Sequence, residues 1–287
     1  MRDKRYLIAC DLDGTLLQDD QTLSKRTIND VKKVIADGHI FCIITGRPYR
    51  GAIKIYNELG LKTLMANYNG SYISNPADQE FAPINMKFNA QIVSSILNDP
   101  FINKNIVNAV IESDDHACIF HESEDEQFLE SFKHFFHIPF EKEGKLVFSP
   151  ETCKRDVNSL LLYVKNKGVF DSIVYHVKKI APTLAVRSWS LPNSDNFEVI
   201  EINSAFADKA MAMRYLSSYY GIPLDRCIAF GDGENDLTML NQAGYGFAMK
   251  NGARSAKLLA RHITKHTNKE DGVVWELNYI LNQLNSY

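Results

Sequence analysis

The sequence predicts an α/β protein in which a doubly wound, mostly parallel sheet is interrupted by an inserted α+β domain. In the first and last thirds of the chain, short apolar runs alternate with helical stretches, which is typical of a parallel sheet covered on both faces. In the middle, strand-like runs follow one another more closely, which indicates a largely antiparallel sheet. The predicted core therefore comprises residues 1–85 and 202–287, and the insertion comprises residues 86–201.

The first third supplies the clearest element boundaries. Ser24 is a suitable N-cap for one helix and Gly38 a suitable end for it. Pro48 suits the first turn of a second helix, which Gly60 ends. The predicted elements are strands at 5–10, 40–45 and 63–66 and helices at 24–37 and 48–60.

The middle and last parts of the chain are assigned in the same way. Ser113 and Asp114 fit the turn of a hairpin between two predicted strands. The insertion is predicted to contain strands at 106–112, 117–121, 146–149, 159–164, 184–189 and 197–202 and helices at 90–98, 124–137 and 169–180. The last part is predicted to contain helices at 207–220 and 235–242, strands at 226–230 and 245–249, and two further helices.

Composition and charge exclude several classes of protein. The chain has 287 residues, of which 45% are hydrophobic and 23% charged, and this is ordinary for a globular protein. A net charge of −3 gives no electrostatic reason to expect nucleic-acid binding. No apolar run approaches a membrane span, and the run at residues 6–10 is too short for a signal peptide. We therefore expect a cytoplasmic monomer or weak homo-oligomer with reduced cysteines and no nucleic-acid or membrane partner.

Three predicted strands end in polar turns that contain glycine, at residues 11–15, 45–47 and 231–236. Ligands bind at the carboxyl ends of the strands of an open parallel sheet, so the three turns are expected along one edge. On an extended strand residues i and i+2 share a face, which would point Asp11 and Asp13 to the same side. The carboxylates expected at this edge are Asp11, Asp13, Asp232 and Asp236.

These residue types favour a site for Mg²⁺ and phosphate. Clustered carboxylates repel one another, and oxygen ligands without histidine or cysteine favour Mg²⁺ over Zn²⁺. Turn N–H groups, a hydroxyl and a lysine suit a phosphoryl group, and a carboxylate can act as a nucleophile. The sequence argues against a calcium loop, because Leu16 and Leu237 stand where an EF-hand requires glycine. A plain Asp-Gly turn at Asp13 is the weaker alternative, because the pattern recurs at a second strand end.

The motifs at residues 11–15, 45–47 and 231–236, with Lys209 between the last two, resemble the four-motif series of the haloacid dehalogenase (HAD) superfamily. The order and spacing are similar to its Cof-type phosphatase branch, in which a large α/β cap lies between the second and third motifs. Residues 69–71 and 248–252 also resemble that branch. Two positions differ from the family pattern, since Ala210 replaces a glycine and Gly252 an alanine.

The resemblance implies a role for each site residue. Asp11 is the implied nucleophile and Mg²⁺ ligand, and Asp13 the implied general acid and base, whose backbone carbonyl reaches the metal. Asp232 is the remaining carboxylate ligand, Asp236 steadies Lys209 or water, and Arg47 lies either near the substrate or at the surface. The implied phosphate-binding positions are the Leu12 backbone, Thr45, Gly46, Lys209 and Asn235.

The function expected from these roles is Mg²⁺-dependent hydrolysis of the phosphate monoesters of small metabolites through an aspartyl-phosphate. Sugar phosphates, nucleotides and cofactor phosphates all remain possible substrates, with specificity assigned to the cap. Two alternatives stay open: a phosphomutase that uses the same intermediate, and a non-catalytic sensor of phosphorylated ligands.

Overall fold

A computed structural model of the chain describes residues 5–114, 116–123, 125–126, 128–129, 154–165, 167–190 and 197–285. The strands are β1 (Leu7–Cys10), β2 (Ile40–Ile43), β3 (Met65–Asn67), β4 (Tyr72–Ser74), β5 (Ile84–Asn85), β6 (Ile106–Ser113), β7 (His116–Ile119), β8 (Ser159–Val164), β9 (Leu184–Ser190), β10 (Glu198–Ser204), β11 (Cys227–Gly231), β12 (Tyr245–Ala248) and β13 (His262–Ile263). The helices are α1 (Lys25–Ala36), α2 (Tyr49–Leu59), α3 (Ala90–Leu97), α4 (Pro100–Asn105), α5 (Phe170–Ile180), α6 (Lys209–Tyr220), α7 (Leu237–Gln242), α8 (Arg254–Leu259) and α9 (Gly272–Asn285).

The chain divides into two compact units. The first comprises Met1–Gly46, Ala52–Ile84 and Asp208–Tyr287, and the second comprises Arg47–Gly51 and Asn85–Ala207. β10 lies wholly in the second unit, so the boundary predicted at residue 202 falls inside a strand. The strand predicted at 146–149 and most of the helix predicted at 124–137 lie outside the described residues.

The first unit is built on a five-stranded sheet with the order β13-β12-β11-β1-β2, and every pairing in it is parallel. Its central strand, β1, lies between β11 and β2, and Cys10 is in register with Phe230 and Ile43. All four residues of β1 are buried, as expected of a parallel strand with both faces covered. Because the strands run in register, the turns that follow β1, β2 and β11 meet at one edge of this sheet.

Helix ends in the first unit follow local capping chemistry. The Ser24 hydroxyl accepts a hydrogen bond from the Thr27 N–H at 2.9 Å, which is the predicted N-cap of α1. The Asp208 side chain likewise accepts from the Met211 N–H and caps α6. Helix α6 ends at Gly221, whose φ of 66° is left-handed. These caps fix where α6 begins, and therefore where Lys209 lies.

The second unit contains an antiparallel sheet with the order β7-β6-β8-β10-β9. One face carries a buried apolar cluster that includes Leu160 and Ile202 of the sheet, Val93 of α3 and Ile173 of α5. Strands β6 and β7 form the predicted hairpin, with Asp114 in the turn at a φ of 55°. A parallel core sheet with a separate antiparallel unit confirms the predicted fold class.

In the described part of the chain, no helix is long and apolar enough to cross a membrane. The cysteines there, Cys10, Cys42, Cys118 and Cys227, are buried free thiols. Cys153 lies outside the described residues.

Candidate active site

Asp11 begins the site at the carboxyl end of β1. Its N–H donates to the Phe230 carbonyl at 3.1 Å, which extends the β1–β11 pairing by one residue. Its side chain is almost fully buried. The carboxylate therefore lies at the centre of the sheet edge, where little water can offset its charge.

Residues Leu12–Leu16 form a tight turn and do not continue the strand. Asp13 has an extended backbone (φ −71°, ψ 129°), whereas Gly14 is left-handed with a φ of 67°. The extended strand on which Asp11 and Asp13 were expected to share a face therefore stops before Asp13, which lies in this turn. The Leu12 side chain is fully buried.

Gly14 and Thr15 fit this turn closely against Asp232. A Cβ added at Gly14 would collide with the Asp232 carboxylate, so glycine is required there for space as well as for its φ. The Thr15 hydroxyl donates to Asp232 Oδ1 at 3.0 Å. The turn after β1 and the turn after β11 are thus held together by direct side-chain contact.

Lys209 is the cation of the site. It is fully buried at the start of α6, and its Nζ lies 2.8 Å from Asp11 Oδ1 and 2.7 Å from Asp236 Oδ1. Burial alone would lower the pKa of Lys209, but the charges of Asp11 and Asp236 raise it above its ordinary value. Lys209 is therefore charged at neutral pH.

Asp236 is engaged on both of its carboxylate oxygens. While Oδ1 contacts Lys209, Oδ2 accepts the N–H groups of Asp232 and Gly233 at 3.0 and 2.9 Å. Asp236 thus orients Lys209 and shapes the turn after β11. Its side chain is completely buried.

The carboxylates of the site carry more negative charge than Lys209 can offset. Burial, reinforced by Asp236, Asp232 and Asp13, raises the pKa of Asp11 well above its ordinary range despite the opposing effect of Lys209. Burial and the charge of Asp236 raise the pKa of Asp232 to about 7. The site therefore favours either a proton or a cation.

A cation has suitable ligands here. Asp11, Asp232 and Asp236 each place one carboxylate oxygen within 4.8 Å of the others. Both carboxylate oxygens of Asp236 already contact hydrogen-bond donors, Lys209 on one side and backbone N–H groups on the other. Asp11 and Asp232 are therefore the better ligands. An oxygen-only set of this kind fits a hard divalent cation.

The remaining predicted phosphate-binding residues lie in the same unit, on the turns that follow β2 and β11. Thr45 is fully buried, and its N–H donates to the Ala66 carbonyl at 2.9 Å. The Asn235 Nδ2 donates to Asn69 Oδ1 at 2.9 Å. Gly46 also approaches Asn69, because a Cβ at Gly46 would lie 3.4 Å from Asn69 Oδ1.

Arg47 is buried, and its guanidinium donates to the Gly51 carbonyl at 3.1 Å. The surface alternative for this arginine is therefore wrong. This hydrogen bond spans the first turn of α2 and stabilises the start of the helix, so Arg47 has a structural role there.

Comparisons with known proteins agree with this geometry. Residues 8–277 match the family model of haloacid dehalogenase-like hydrolases. The chain belongs to this family. It is 36% identical over 273 residues to the 5-amino-6-(5-phospho-D-ribitylamino)uracil phosphatase YitU of Bacillus subtilis. The matched region covers 95% of this chain and 96% of that protein. It is 26% identical to the phosphatase YwpJ of the same organism, over 96% of this chain and 99% of the relative.

The fold of this HAD family member is also found in solved structures. A haloacid dehalogenase-like hydrolase from Bacteroides thetaiotaomicron superposes with a TM-score of 0.76 at 23% identity, over 96% of this chain and 99% of that one. The family match and the phosphatase relatives make the chain a HAD-type phosphatase, as its motifs predicted.

Three residues of this HAD phosphatase had no role in the sequence-based prediction. Thr15 contacts Asp232, and Asn69 contacts Asn235. Asn251 Nδ2 donates to the Gly14 carbonyl at 2.7 Å and so supports the turn that carries Asp13. Asn69 and Asn251 lie in the two stretches that resemble the Cof-type branch. The sequence therefore indicated these positions but not the hydrogen bonds that the two side chains make.

Replacing Lys209 by Met is expected to destabilise this phosphatase in the absence of metal. Methionine fills similar volume but leaves Asp11, Asp232 and Asp236 without their cation, and breaking a buried ion pair costs about 3 kcal/mol. The free energy of unfolding in urea measures the effect. As a matched control, Lys269→Met removes an exposed pair with Asp19 and should change stability little. An equally stable Lys209→Met protein would contradict the electrostatic account.

Proposed function

We propose that this chain is a Mg²⁺-dependent phosphatase that hydrolyses phosphate monoesters of small metabolites through a phosphorylated Asp11. The observation that carries the proposal is the buried Asp11 beside Lys209, with Asp232 close by at the same sheet edge. A carboxylate in this setting is held in place by its ion pair and is shielded from water. The phosphatase relatives support the reaction class.

In this proposal Asp11 and Asp232 hold Mg²⁺ through carboxylate oxygens, with the Asp13 carbonyl as a further ligand. The bound ion would offset the repulsion between the Asp11 carboxylate and the phosphate dianion. The repulsion within the cluster supports this assignment, because burial and the neighbouring carboxylates raise the pKa values of Asp11 and Asp232, and a bound cation would favour their ionised forms.

The protein's own residues would carry out the reaction in two steps. Asp11 attacks phosphorus while the Leu12 backbone, Thr45, Gly46, Lys209 and Asn235 hold the phosphoryl oxygens. Asp13 protonates the leaving alcohol, then takes a proton from the water that hydrolyses the aspartyl-phosphate. The free enzyme and inorganic phosphate result.

We propose that the insertion predicted at residues 86–201 selects the substrate. The 36% identity to a phosphatase of 5-amino-6-(5-phospho-D-ribitylamino)uracil makes that sugar-alcohol phosphate a leading compound to test, beside sugar phosphates, nucleotides and cofactor phosphates. A small phosphorylated metabolite is therefore the proposed partner.

Purified protein should release inorganic phosphate from p-nitrophenyl phosphate with Mg²⁺, and EDTA should abolish the release. A panel of metabolite phosphates, including the ribitylaminouracil compound, then ranks substrates by kcat/KM. An isomerised phosphate ester in place of free phosphate would favour the phosphomutase alternative. No turnover of any ester and no binding of vanadate would contradict the proposal.

Replacing Thr15 by Val is expected to weaken Mg²⁺ binding. Valine keeps the shape of the side chain but removes the hydrogen bond to Asp232 Oδ1, and loss of a group that orients a metal ligand lowers affinity by about tenfold or more. Isothermal titration of the protein with Mg²⁺ measures this. Thr15→Ser retains the hydroxyl and should bind Mg²⁺ nearly as the wild type does; equal affinity of all three proteins would contradict the assignment.

A further inference from the structure

Asn69 lies in a buried turn between β3 and β4, and its backbone is unusual. Tyr68, Asn69 and Gly70 have successive φ values of 50°, 55° and 99°, so three consecutive residues are left-handed and two of them are not glycine. Left-handed non-glycine residues cost energy and persist where the surrounding structure requires them. The Asn69 side chain is buried, with 1% exposure.

This turn touches three of the four segments proposed to bind phosphate. The Asn69 N–H donates to the Thr45 carbonyl at 2.9 Å, which joins it to the turn after β2. Asn69 Oδ1 accepts from Asn235 Nδ2 at 2.9 Å, which joins it to the turn after β11. A Cβ on Gly70 would lie 2.7 Å from the Asp208 carbonyl, so the turn also packs against the start of α6, beside Lys209.

The contact with Asn235 restricts a side chain that would otherwise rotate. An asparagine side-chain amide has two N–H donors. One of the two on Asn235 donates to Asn69 Oδ1. Within the described ranges of the chain Asn235 Nδ2 makes this one hydrogen bond, so its second N–H is available to a ligand, in a plane fixed by the first. A donor held in place before the ligand arrives loses less entropy when the ligand binds.

We propose that Asn69 is a positioning residue that holds the Asn235 carboxamide ready for the phosphoryl group. This inference rests on the proposed function, because it takes Asn235 as a phosphate ligand. Asn69 acts through Asn235 and need not touch the substrate. Its left-handed backbone is then the conformation that brings Oδ1 to Asn235 while its N–H reaches Thr45.

A double-mutant cycle tests the proposal. Asn69→Gly removes the side chain but tolerates the φ of 55°, and Asn235→Ala removes the amide that Asn69 holds. Gln21→Gly is the matched control, because Gln21 also has a left-handed φ, of 64°, outside the proposed site. The kcat and KM of all variants are measured with one phosphate ester, and thermal melting checks folding.

Asn235→Ala is expected to lower kcat/KM by about thirtyfold, and Asn69→Gly by about fivefold. The double variant should match Asn235→Ala alone, and Gln21→Gly should match the wild type. A further fivefold loss in the double variant would show that Asn69 acts independently of Asn235 and would overturn the proposal.

A second readout separates this inference from the proposed function. The side-chain amide resonances of Asn235, observed by ¹H–¹⁵N NMR, should shift in Asn69→Gly and stay in place in Gln21→Gly. Unchanged Asn235 resonances in Asn69→Gly would overturn the inference even in an active enzyme. A wild-type protein without phosphatase activity would instead overturn the proposed function, and the resonances would still decide whether Asn69 holds Asn235.

Discussion

Replacing Asp11 by Asn is expected to lower kcat by about ten thousandfold or more, because the proposed nucleophile is lost while the site keeps its shape. The amide also relieves repulsion from Asp232 and Asp236, so the variant should remain folded and as stable as the wild type. Steady-state phosphate release and urea unfolding measure the two effects. Asp37→Asn, at an exposed carboxylate after α1, is the control and should keep full activity.

Labelled phosphate provides the decisive readout for this variant. Asp11→Asn should form no covalent phospho-enzyme when it is mixed with a ³²P-labelled ester and quenched in acid. Recovery of label on the Asp11→Asn protein would show that another residue is the nucleophile.

Replacing Asp13 by Asn is expected to lower kcat for an alkyl phosphate by about a hundredfold to ten thousandfold, since the proposed acid and base is lost. Asp11 stays intact in this variant, so the first step should survive with a leaving group that needs no proton. With 2,4-dinitrophenyl phosphate, a rapid burst of dinitrophenol should therefore precede slow turnover. Stopped-flow absorbance measures the size of the burst.

The two esters also provide the control for Asp13. Loss of general acid catalysis should slow the alkyl ester far more than the dinitrophenyl ester. Equal losses for both esters, with no burst, would mean that Asp13 supports the fold of the site and does not transfer protons.

Much of the fold could be predicted from the sequence because local chemistry determines it. The Ser24 cap, the buried apolar strand β1 and the hairpin at Asp114 each depend on residues close together in the chain. Helix α4 was missed although Asp99 caps it and Pro100 begins it, since the short helix lies close behind α3. The strands β4, β5 and β13 have three residues or fewer, too few to show a period.

The sequence pointed to several residues that the structure brings together at this sheet edge, but it did not show their geometry. Motif order points to Asp11, Lys209 and Asp232, because the strand ends of a parallel sheet must meet. The turn at Leu12–Leu16 depends on contacts with residues more than 200 positions away, including the Asp11–Phe230 bond and the Thr15–Asp232 bond. No local pattern encodes such contacts, and the pairing of Asn69 with Asn235 was missed for the same reason.

The central claim is that Asp11 becomes phosphorylated, and chemical trapping tests it most directly. Enzyme is mixed with a saturating phosphate ester and Mg²⁺, quenched within milliseconds and reduced with borohydride, which converts an aspartyl-phosphate to homoserine. Peptide mass spectrometry should then find homoserine at position 11, and omission of the ester should abolish it. Homoserine at a different aspartate, or an unmodified Asp11 under conditions of rapid turnover, would contradict the account.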